Sequence, residues 1–133
     1  GRFKAFIDAT LTYQHNSGTW YQVTDLGSRE GNYLEASGTA MLTYAMAKGA
    51  SLKFLPEEYK AHAEKGFAGL LDQMISVNPE TNVISLEQVC AVAGLGGNPY
   101  RDGSFDYYMS EPIRANDAKG VGPFILAAHY LNK

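Results

Sequence analysis

The sequence has 133 residues, a formal net charge of −3 and one cysteine, Cys90. This length predicts a single domain, and the 45% content of apolar residues is ordinary for a globular protein. The negative charge argues against a nucleic-acid partner, for which a basic surface is expected. No apolar run approaches the roughly eighteen residues of a membrane-spanning helix. A lone cysteine excludes an intrachain disulfide, and we expect Cys90 to be a small buried residue.

Two amphipathic helices are predicted, at about residues 2–14 and 56–75. In each, apolar residues recur at helical spacing while charged residues lie mostly elsewhere, which is typical of helices with one solvated side. Pro56 suits the first turn of the later helix. The first residues already have the pattern of a helix interior, without a capping residue. We therefore expect the chain to be a fragment of a longer polypeptide.

The other two predicted helices are almost free of charge. Residues 36–47 contain no charged residue, and Gly49 after them is a predicted C-terminal cap. Residues 120–131 contain only His129 and Tyr130 as ionisable groups. Because a helix that is apolar on all sides is normally buried, the order of the four helices is outer, inner, outer, inner.

The connections between these helices differ in length. The inner-to-outer link, about residues 49–55, is short, whereas the outer-to-inner links at 15–33 and 76–118 are long and carry strand-like runs at 19–23 and 82–86. We therefore predict an all-α fold: part of an α/α toroid, with about four helices in alternating layers and long strand-bearing loops at one end. Two helical hairpins cannot close a ring, so further polypeptide or partner proteins must cover the inner face.

The stretch Gly94–Phe124 holds six glycines, five aromatic residues and seven charged residues. A connection of this length is usually functional or disordered, and its aromatic content argues against disorder. We predict an ordered loop that forms part of a site at the N-termini of the inner helices, where an anion is favoured.

Several side chains near this end could recognise an acidic sugar. Trp20, Tyr21, Tyr100 and Tyr108 could offer flat apolar surfaces, and the alternative for each is packing under the loop. Arg101, Arg114 and Lys119 could bind a carboxylate, the alternatives being structural ion pairs or solvated surface positions.

The carboxylates at this end are Glu35, Asp102, Asp106, Glu111 and Asp117. Glu35, which enters an uncharged helix, is a weak candidate for a general acid, against a structural hydrogen-bonding role. Asp117 is predicted as a helix cap and Asp102 as a partner of Arg101. The three histidines lack ligand spacing, so no metal site is predicted.

Three separated motifs resemble the C-terminal portion of glycoside hydrolase family 105, the unsaturated rhamnogalacturonyl and glucuronyl hydrolases, which are related to family 88. The motifs are SGTWYQVTD at 17–25, GNYLEASGTAMLTYAMAKG at 31–49 and VAGLGG…YRDGSFDYYMSEPIRANDAKGVGPFILA at 92–127. The resemblance implies that residues 1–133 are the C-terminal part of one (α/α)6 barrel domain, without a second domain.

The resemblance also implies a chemistry. The family's substrates are oligosaccharides that end in a 4,5-unsaturated uronic acid. An aspartate protonates the double bond and activates water, which adds at C5, and no metal or organic cofactor is involved. In a bacterium the family is expected in the cytoplasm or periplasm.

The catalytic aspartates and a tryptophan–arginine motif of the family belong to earlier helices, and nothing in this chain matches them. The resemblance therefore implies that the catalytic residue lies upstream of Gly1, that the isolated chain is inactive and that its loop walls the substrate pocket. The binding candidates are Tyr100, Arg101, Tyr107, Tyr108, Lys119 and Trp20. Two alternatives remain: a non-catalytic helical module that binds sugars or other partners, and another toroid enzyme such as a polysaccharide lyase.

Overall fold

The structure, a computed structural model that describes residues 1–133, is mostly helical with small β-hairpins, as predicted. Four long helices are joined by loops, and a fifth short helix lies within the last loop. The helices are α1 (Arg2–Leu11), α2 (Ala36–Ser51), α3 (Tyr59–Gln73), α4 (Phe105–Ser110) and α5 (Ala118–Leu131). None of them combines the length and apolarity needed to span a bilayer.

Two small antiparallel ladders lie in the long connection between α3 and α5. Strand β1 (Ile75–Val77) pairs with β2 (Ile84–Leu86), and β3 (Val89–Cys90) pairs with β4 (Ile113–Arg114). The second ladder places Val89 opposite Arg114 and Cys90 opposite Ile113, so it brings together the two ends of a long excursion of the chain.

Helix α2 is central, since it packs against both α3 and α5. A close approach to α3 is possible because two glycines of α3 face the rest of the core. A Cβ atom at Gly66 would collide with Thr43 Oγ1, and one at Gly69 would collide with the Ser17 carbonyl oxygen. One buried apolar cluster contains Ile7, Trp20, Met46, Ala47, Leu55, Tyr59 and Ala63. The other contains Ala36, Ala40, Leu70, Met74, Leu86 and Val89.

The start of α1 is as the sequence predicts. Gly1 occupies the N-cap position and is exposed, and no side chain caps the helix. The first turn also lacks an acidic residue.

Several predicted boundaries were wrong. Helix α1 ends at Leu11, and α3 begins at Tyr59, after Pro56, and stops before Ile75, which is the first residue of β1. Gly49 does not cap α2 but lies inside it, where a Cβ atom would come within 3.0 Å of the Phe3 ring. The chain instead reverses at Lys53, which has a φ of 61°.

The strand predicted at residues 19–23 is absent apart from a single bridge between Tyr21 and Leu34. Of the strand predicted at 82–86, Ile84–Leu86 is present as β2. The stretch Gly94–Phe124 contains the unpredicted helix α4 and the start of α5. Ser104 caps α4, because its Oγ accepts a hydrogen bond from the Tyr107 N–H at 3.1 Å.

The two charge-free helices differ in burial. Eight of the 16 residues of α2 are buried, whereas among the 14 residues of α5 only Gly120 and Ala127 are. Ile125 and Leu126 are 60% and 42% exposed. One face of α5 is therefore uncovered within this chain, in line with the expectation that two hairpins alone cannot cover the inner helices.

Candidate functional site

The N-termini of α2 and α5 lie side by side, at the end of the fold that carries the long loops. A Cβ atom on Gly120, in the first turn of α5, would lie 3.6 Å from the Cβ of Ser37, in the first turn of α2. It would also lie 2.9 Å from Val89 Cγ2. Two helix N-termini and strand β3 therefore meet at one place, as expected for a mouth formed by the inner helices.

Glu35 is the N-cap of α2 and is 5% exposed. Its Oε2 accepts a hydrogen bond from the Gly38 N–H at 2.6 Å. Its Oε1 accepts from Ser37 Oγ at 2.7 Å and from the Cys90 N–H at 2.9 Å. Because both carboxylate oxygens bind internal donors, the structure favours the structural role of Glu35 over the weak catalytic candidacy.

The start of α1 packs near the C-terminal end of α2, since a Cβ atom on Gly49 would lie 3.0 Å from the Phe3 ring. The one buried residue of α1, Ile7, belongs to the cluster around Trp20 rather than to the mouth. None of the residues that line the cleft described below comes from α1. The expectation of a catalytic residue upstream of Gly1 stays a prediction.

Asp117 is the N-cap of α5, as predicted. Its Oδ1 accepts a hydrogen bond from the Lys119 N–H at 3.1 Å and lies 2.9 Å from Lys119 Nζ. The Lys119 ammonium and the backbone N–H hold the pKa of Asp117 below its usual range. Lys119 is consequently paired within the protein, although its side chain is 37% exposed.

Arg101 closes a tight hairpin in the glycine-rich part of the loop. The backbones of Gly96 and Arg101 exchange two hydrogen bonds, of 2.8 and 3.0 Å. The Arg101 Nε also donates to the Gly96 carbonyl at 3.0 Å. The predicted partnership with Asp102 was wrong: Asp102 Oδ1 accepts from the Ser104 N–H instead, which lowers its pKa.

A cleft of about 520 Å³ opens beside this hairpin. Three of the six predicted binding residues line it: Tyr100, Arg101 and Tyr107. The others that line it are Asn98, Pro99, Ser110 and Glu111. Tyr100 is 79% exposed, so one large aromatic side chain is free to contact a ligand. The cleft thus combines an aromatic surface with a cation, a carboxylate, an amide and hydroxyl groups.

Tyr107 connects the cleft to the loop. Its hydroxyl accepts a hydrogen bond from the Gly94 N–H at 3.1 Å. The pKa of Tyr107 is raised, first by the nearby Glu111 carboxylate and second by partial desolvation. Sequence reasoning counted Glu111 among the carboxylates but gave it no role, because nothing in the local sequence shows that it faces the cleft.

The remaining predicted binding residues lie elsewhere. Tyr108 packs its ring against that of Tyr107, with 5.2 Å between centroids, and does not line the cleft. Trp20 is 2% exposed, in the apolar core, and its Nε1 donates to the Thr10 carbonyl at 2.8 Å. The structure therefore corrects the prediction for Trp20, since a sugar cannot stack on an enclosed ring.

Cys90 is buried, as predicted, under the same loop. Its Sγ accepts a hydrogen bond from Gln22 Nε2 at 3.3 Å and donates to the Val92 carbonyl at 3.2 Å. The neighbouring Tyr33 hydroxyl is buried without a partner, and burial raises its pKa. These contacts join the first long loop to the second. No group of three or more histidine, cysteine, aspartate or glutamate side chains is placed to hold a metal ion.

Comparisons with known proteins cover the whole chain. Residues 1–133 match the family model described as Glycosyl Hydrolase Family 88. Over 132 residues the chain is 40% identical to Protein Atu3128 of Agrobacterium fabrum and to a 24.9 kDa protein in the picA locus of Rhizobium radiobacter. These alignments cover 95% of this chain and 56% of each relative, so the chain spans little more than half of their length.

Solved structures give the same result. The chain superimposes on a family 105 glycoside hydrolase of C. acetobutylicum with a TM-score of 0.90 and 48% identity, over 95% of this chain and 35% of that one. A possible family 105 member from Salmonella enterica gives a TM-score of 0.73 at 26% identity, over 97% and 30% of the two chains. The resemblance to families 105 and 88 that the motifs predicted is confirmed.

Proposed function

We propose, since this chain belongs to glycoside hydrolase family 88, that it forms part of an enzyme that hydrolyses oligosaccharides with a terminal unsaturated uronic acid. The single observation that carries the proposal is the family match over residues 1–133. The cleft adds support, because an aromatic surface beside an arginine and a carboxylate suits a sugar acid.

The proposed fold is an (α/α)6 toroid of which this chain supplies two helical hairpins. The alternation of polarity along the chain supports it, as does the match to 35% of a family 105 structure. The exposed side of α5 supports it as well. There Ile125 lines an apolar groove together with Ile75, Ile84, Leu86, Val121 and Phe124. We name this the α5 groove and propose that further helices of the same barrel cover it.

The proposed reaction is hydration of the 4,5 double bond of the uronate. An aspartate upstream of Gly1 would protonate the double bond and activate the water that adds at C5, after which the hydrated sugar opens and the glycosidic link breaks. General acid–base catalysis of this kind needs a carboxyl group within hydrogen-bonding reach of the substrate. Glu35 does not meet this requirement, because its oxygens are occupied. The role proposed for this chain is to wall and orient the substrate.

Absorbance in the ultraviolet band of the unsaturated uronate tests the proposal. A polypeptide that contains this chain together with the rest of the barrel should remove the absorbance of unsaturated galacturonyl or glucuronyl disaccharides. The isolated 133-residue chain should leave it unchanged. A polysaccharide lyase would instead raise the absorbance of a saturated polymer. No change with any substrate would overturn the hydrolase assignment and favour a non-catalytic sugar-binding module.

A further inference from the structure

Arg101 is the only cation among the side chains that line the cleft. It is partly buried, yet it takes part in none of the three salt bridges of the structure, Lys4–Asp8, Arg29–Asp106 and Lys119–Asp117. Withdrawing a charge from water is unfavourable unless a counter-charge or hydrogen bonds compensate for it. An arginine of this kind at the edge of a cleft is suited to an anionic ligand.

The backbone fixes the orientation of the guanidinium group. Its Nε is held by the Gly96 carbonyl, at 3.0 Å. A Cβ atom on Gly94 would lie 2.6 Å from Nη1, and one on Gly97 would lie 3.1 Å from Nη2. The missing side chains of these two glycines therefore make room for the guanidinium, which rests against bare backbone.

The two Nη groups are left available. Among the hydrogen bonds of Arg101 side-chain atoms, only the Nε bond to Gly96 is present. A guanidinium that is oriented in advance, with free N–H groups, can bind a carboxylate through two parallel hydrogen bonds, and less entropy is lost on binding. A lysine could offer the charge but not this geometry.

Glu111 lines the same cleft and carries the opposite charge. Its carboxylate would repel a ligand carboxylate while accepting hydrogen bonds from sugar hydroxyls. A sugar acid would therefore be oriented with its carboxylate toward Arg101 and its hydroxyls toward Glu111. The exposed Tyr100 ring also lines this cleft and offers a flat surface to a sugar.

We propose that Arg101 is a specificity-determining residue that binds the carboxylate of a uronic acid unit of the substrate, in the cleft between Asn98 and Glu111. This inference rests on the proposed function and deepens it, because it assigns the recognition of the acid group to one side chain. It also accounts for Gly94, where no positive φ requires a glycine and a Cβ atom would lie 2.6 Å from Arg101 Nη1.

The kinetic test compares an unsaturated digalacturonate with its methyl ester, using the complete enzyme. Arg101→Gln should raise KM for the acid by about tenfold or more, since a charge-assisted pair is lost, while kcat changes little. The KM for the ester should change much less. Arg2→Gln, at an exposed arginine of α1 that does not line the cleft, is the matched control and should leave both KM values unchanged. Equal losses for acid and ester would overturn the proposal.

The kinetics and the melting temperature of a second variant, Arg101→Lys, distinguish a role in carboxylate binding from a purely structural role. Arg101→Lys keeps the charge but loses the Nε bond and the fork, so it should recover only part of the preference for the acid. If it lowers the melting temperature and weakens acid and ester alike, Arg101 only supports the hairpin and the proposal fails.

Titration calorimetry with saturated oligosaccharides measures binding affinity without turnover, so it tests the role of Arg101 independently of the proposed reaction. The protein should bind trigalacturonate more tightly than neutral galactose trisaccharide, and Arg101→Gln should abolish the difference. If the enzyme removes no ultraviolet absorbance but this preference exists and depends on Arg101, the proposed reaction fails and the assignment of Arg101 survives. If trigalacturonate does not bind, or binds equally to the Gln variant, the assignment fails.

Discussion

The Glu35 side chain and the Cys90 backbone N–H are joined by a hydrogen bond of 2.9 Å across 55 residues of sequence. The same carboxylate caps α2 through the Gly38 N–H. One buried acidic group thus fixes the start of the central helix to strand β3. The loop that forms the cleft is held to the helical core at this point.

The first prediction concerns Glu35. Replacing it with alanine should lower the free energy of unfolding by about 3 kcal/mol or more, because several buried donors lose their acceptor. Glu35→Gln keeps one oxygen and should cost less. Urea unfolding measures both, with Glu64→Ala on the exposed side of α3 as the control. An alanine variant with normal stability and no activity would instead indicate catalysis.

Substitutions at Trp20 and Tyr100 distinguish a residue of the apolar core from a residue that binds substrate. Trp20→Phe removes the hydrogen bond to Thr10 and some core volume, so it should lower the free energy of unfolding by about 1–3 kcal/mol. The affinity for substrate should stay the same. Tyr100→Ala, at an exposed ring, should do the reverse: it should weaken substrate binding and leave thermal unfolding unchanged. A change in substrate affinity caused by Trp20→Phe without loss of stability would contradict the core assignment.

Two glycine-to-alanine substitutions should change the free energy of unfolding in opposite directions. A Cβ atom at Gly69 would collide with the Ser17 carbonyl and come within 2.8 Å of Thr19 Cγ2, so Gly69→Ala should destabilise the fold by about 1–3 kcal/mol. Gly122 lies in α5 with nothing within 4 Å of a Cβ position. Gly122→Ala should therefore stabilise by about 0.5–1 kcal/mol. Thermal unfolding of both variants checks the pair, and effects of the same sign would be inconsistent with the packing.

Asp117 should contribute to the pH dependence of stability. Its pKa is lowered in the folded state by Lys119 and the backbone. The stabilisation is therefore fully present above the unfolded-state pKa of about 3.9 and is lost as pH falls through the lower folded-state value. Asp117→Asn keeps a capping oxygen but cannot titrate.

Unfolding free energies measured from neutral pH into the acid range provide the test. The Asn variant should lose less stability than the parent between about pH 4 and pH 2, below the unfolded-state value. Asp25→Asn, at an aspartate whose side chain makes no hydrogen bond in the structure, is the control. Identical acid profiles for the parent and Asp117→Asn would rule out the contribution.

The uncovered face of α5 should make the isolated chain associate with itself. Ile84 and Ile125 are 64% and 60% exposed in the α5 groove, and contiguous apolar surface of this kind promotes contact between molecules. Size-exclusion chromatography should show an apparent mass that rises with concentration. The double substitution Ile84→Lys and Ile125→Lys should suppress the rise, whereas Phe54→Lys, outside the groove, should not. A concentration-independent monomer would contradict this prediction.

The four long helices were predictable because their patterns are local. Residues 36–47 contain no charge, and the stripe that includes Tyr59, Ala63 and Leu70 is periodic. The helix ends were less predictable because packing decides them. Gly49 would normally end a helix, but α2 continues to Ser51, since the absent side chain lets Phe3 and Leu55 pack closely.

The cleft was only partly predictable. The residue types alone pointed to Tyr100 and Arg101, since aromatic and cationic residues in a glycine-rich loop favour a binding role, whereas Tyr107 was named only through the family resemblance. Ser110 and Glu111 face the cleft because α4 turns the chain back toward the hairpin. A six-residue helix is too short to show periodicity, and Ser104 before Asp106 was the only local signal of its cap. The β3–β4 ladder joins residues too distant for any local pattern.

That ladder has a consequence for how relatives of this protein diverge. Val89–Cys90 and Ile113–Arg114 hold both ends of the excursion, and the Ala91 N–H adds a hydrogen bond of 2.8 Å to the Pro112 carbonyl. Lengthening a loop with fixed ends is inexpensive in entropy, at about 0.6 kcal/mol for each doubling. Insertions and deletions between residues 92 and 111 can therefore reshape the cleft while the helical scaffold keeps its register. We therefore expect that grafting residues 92–111 between homologues would transfer sugar preference while the helical scaffold stays folded.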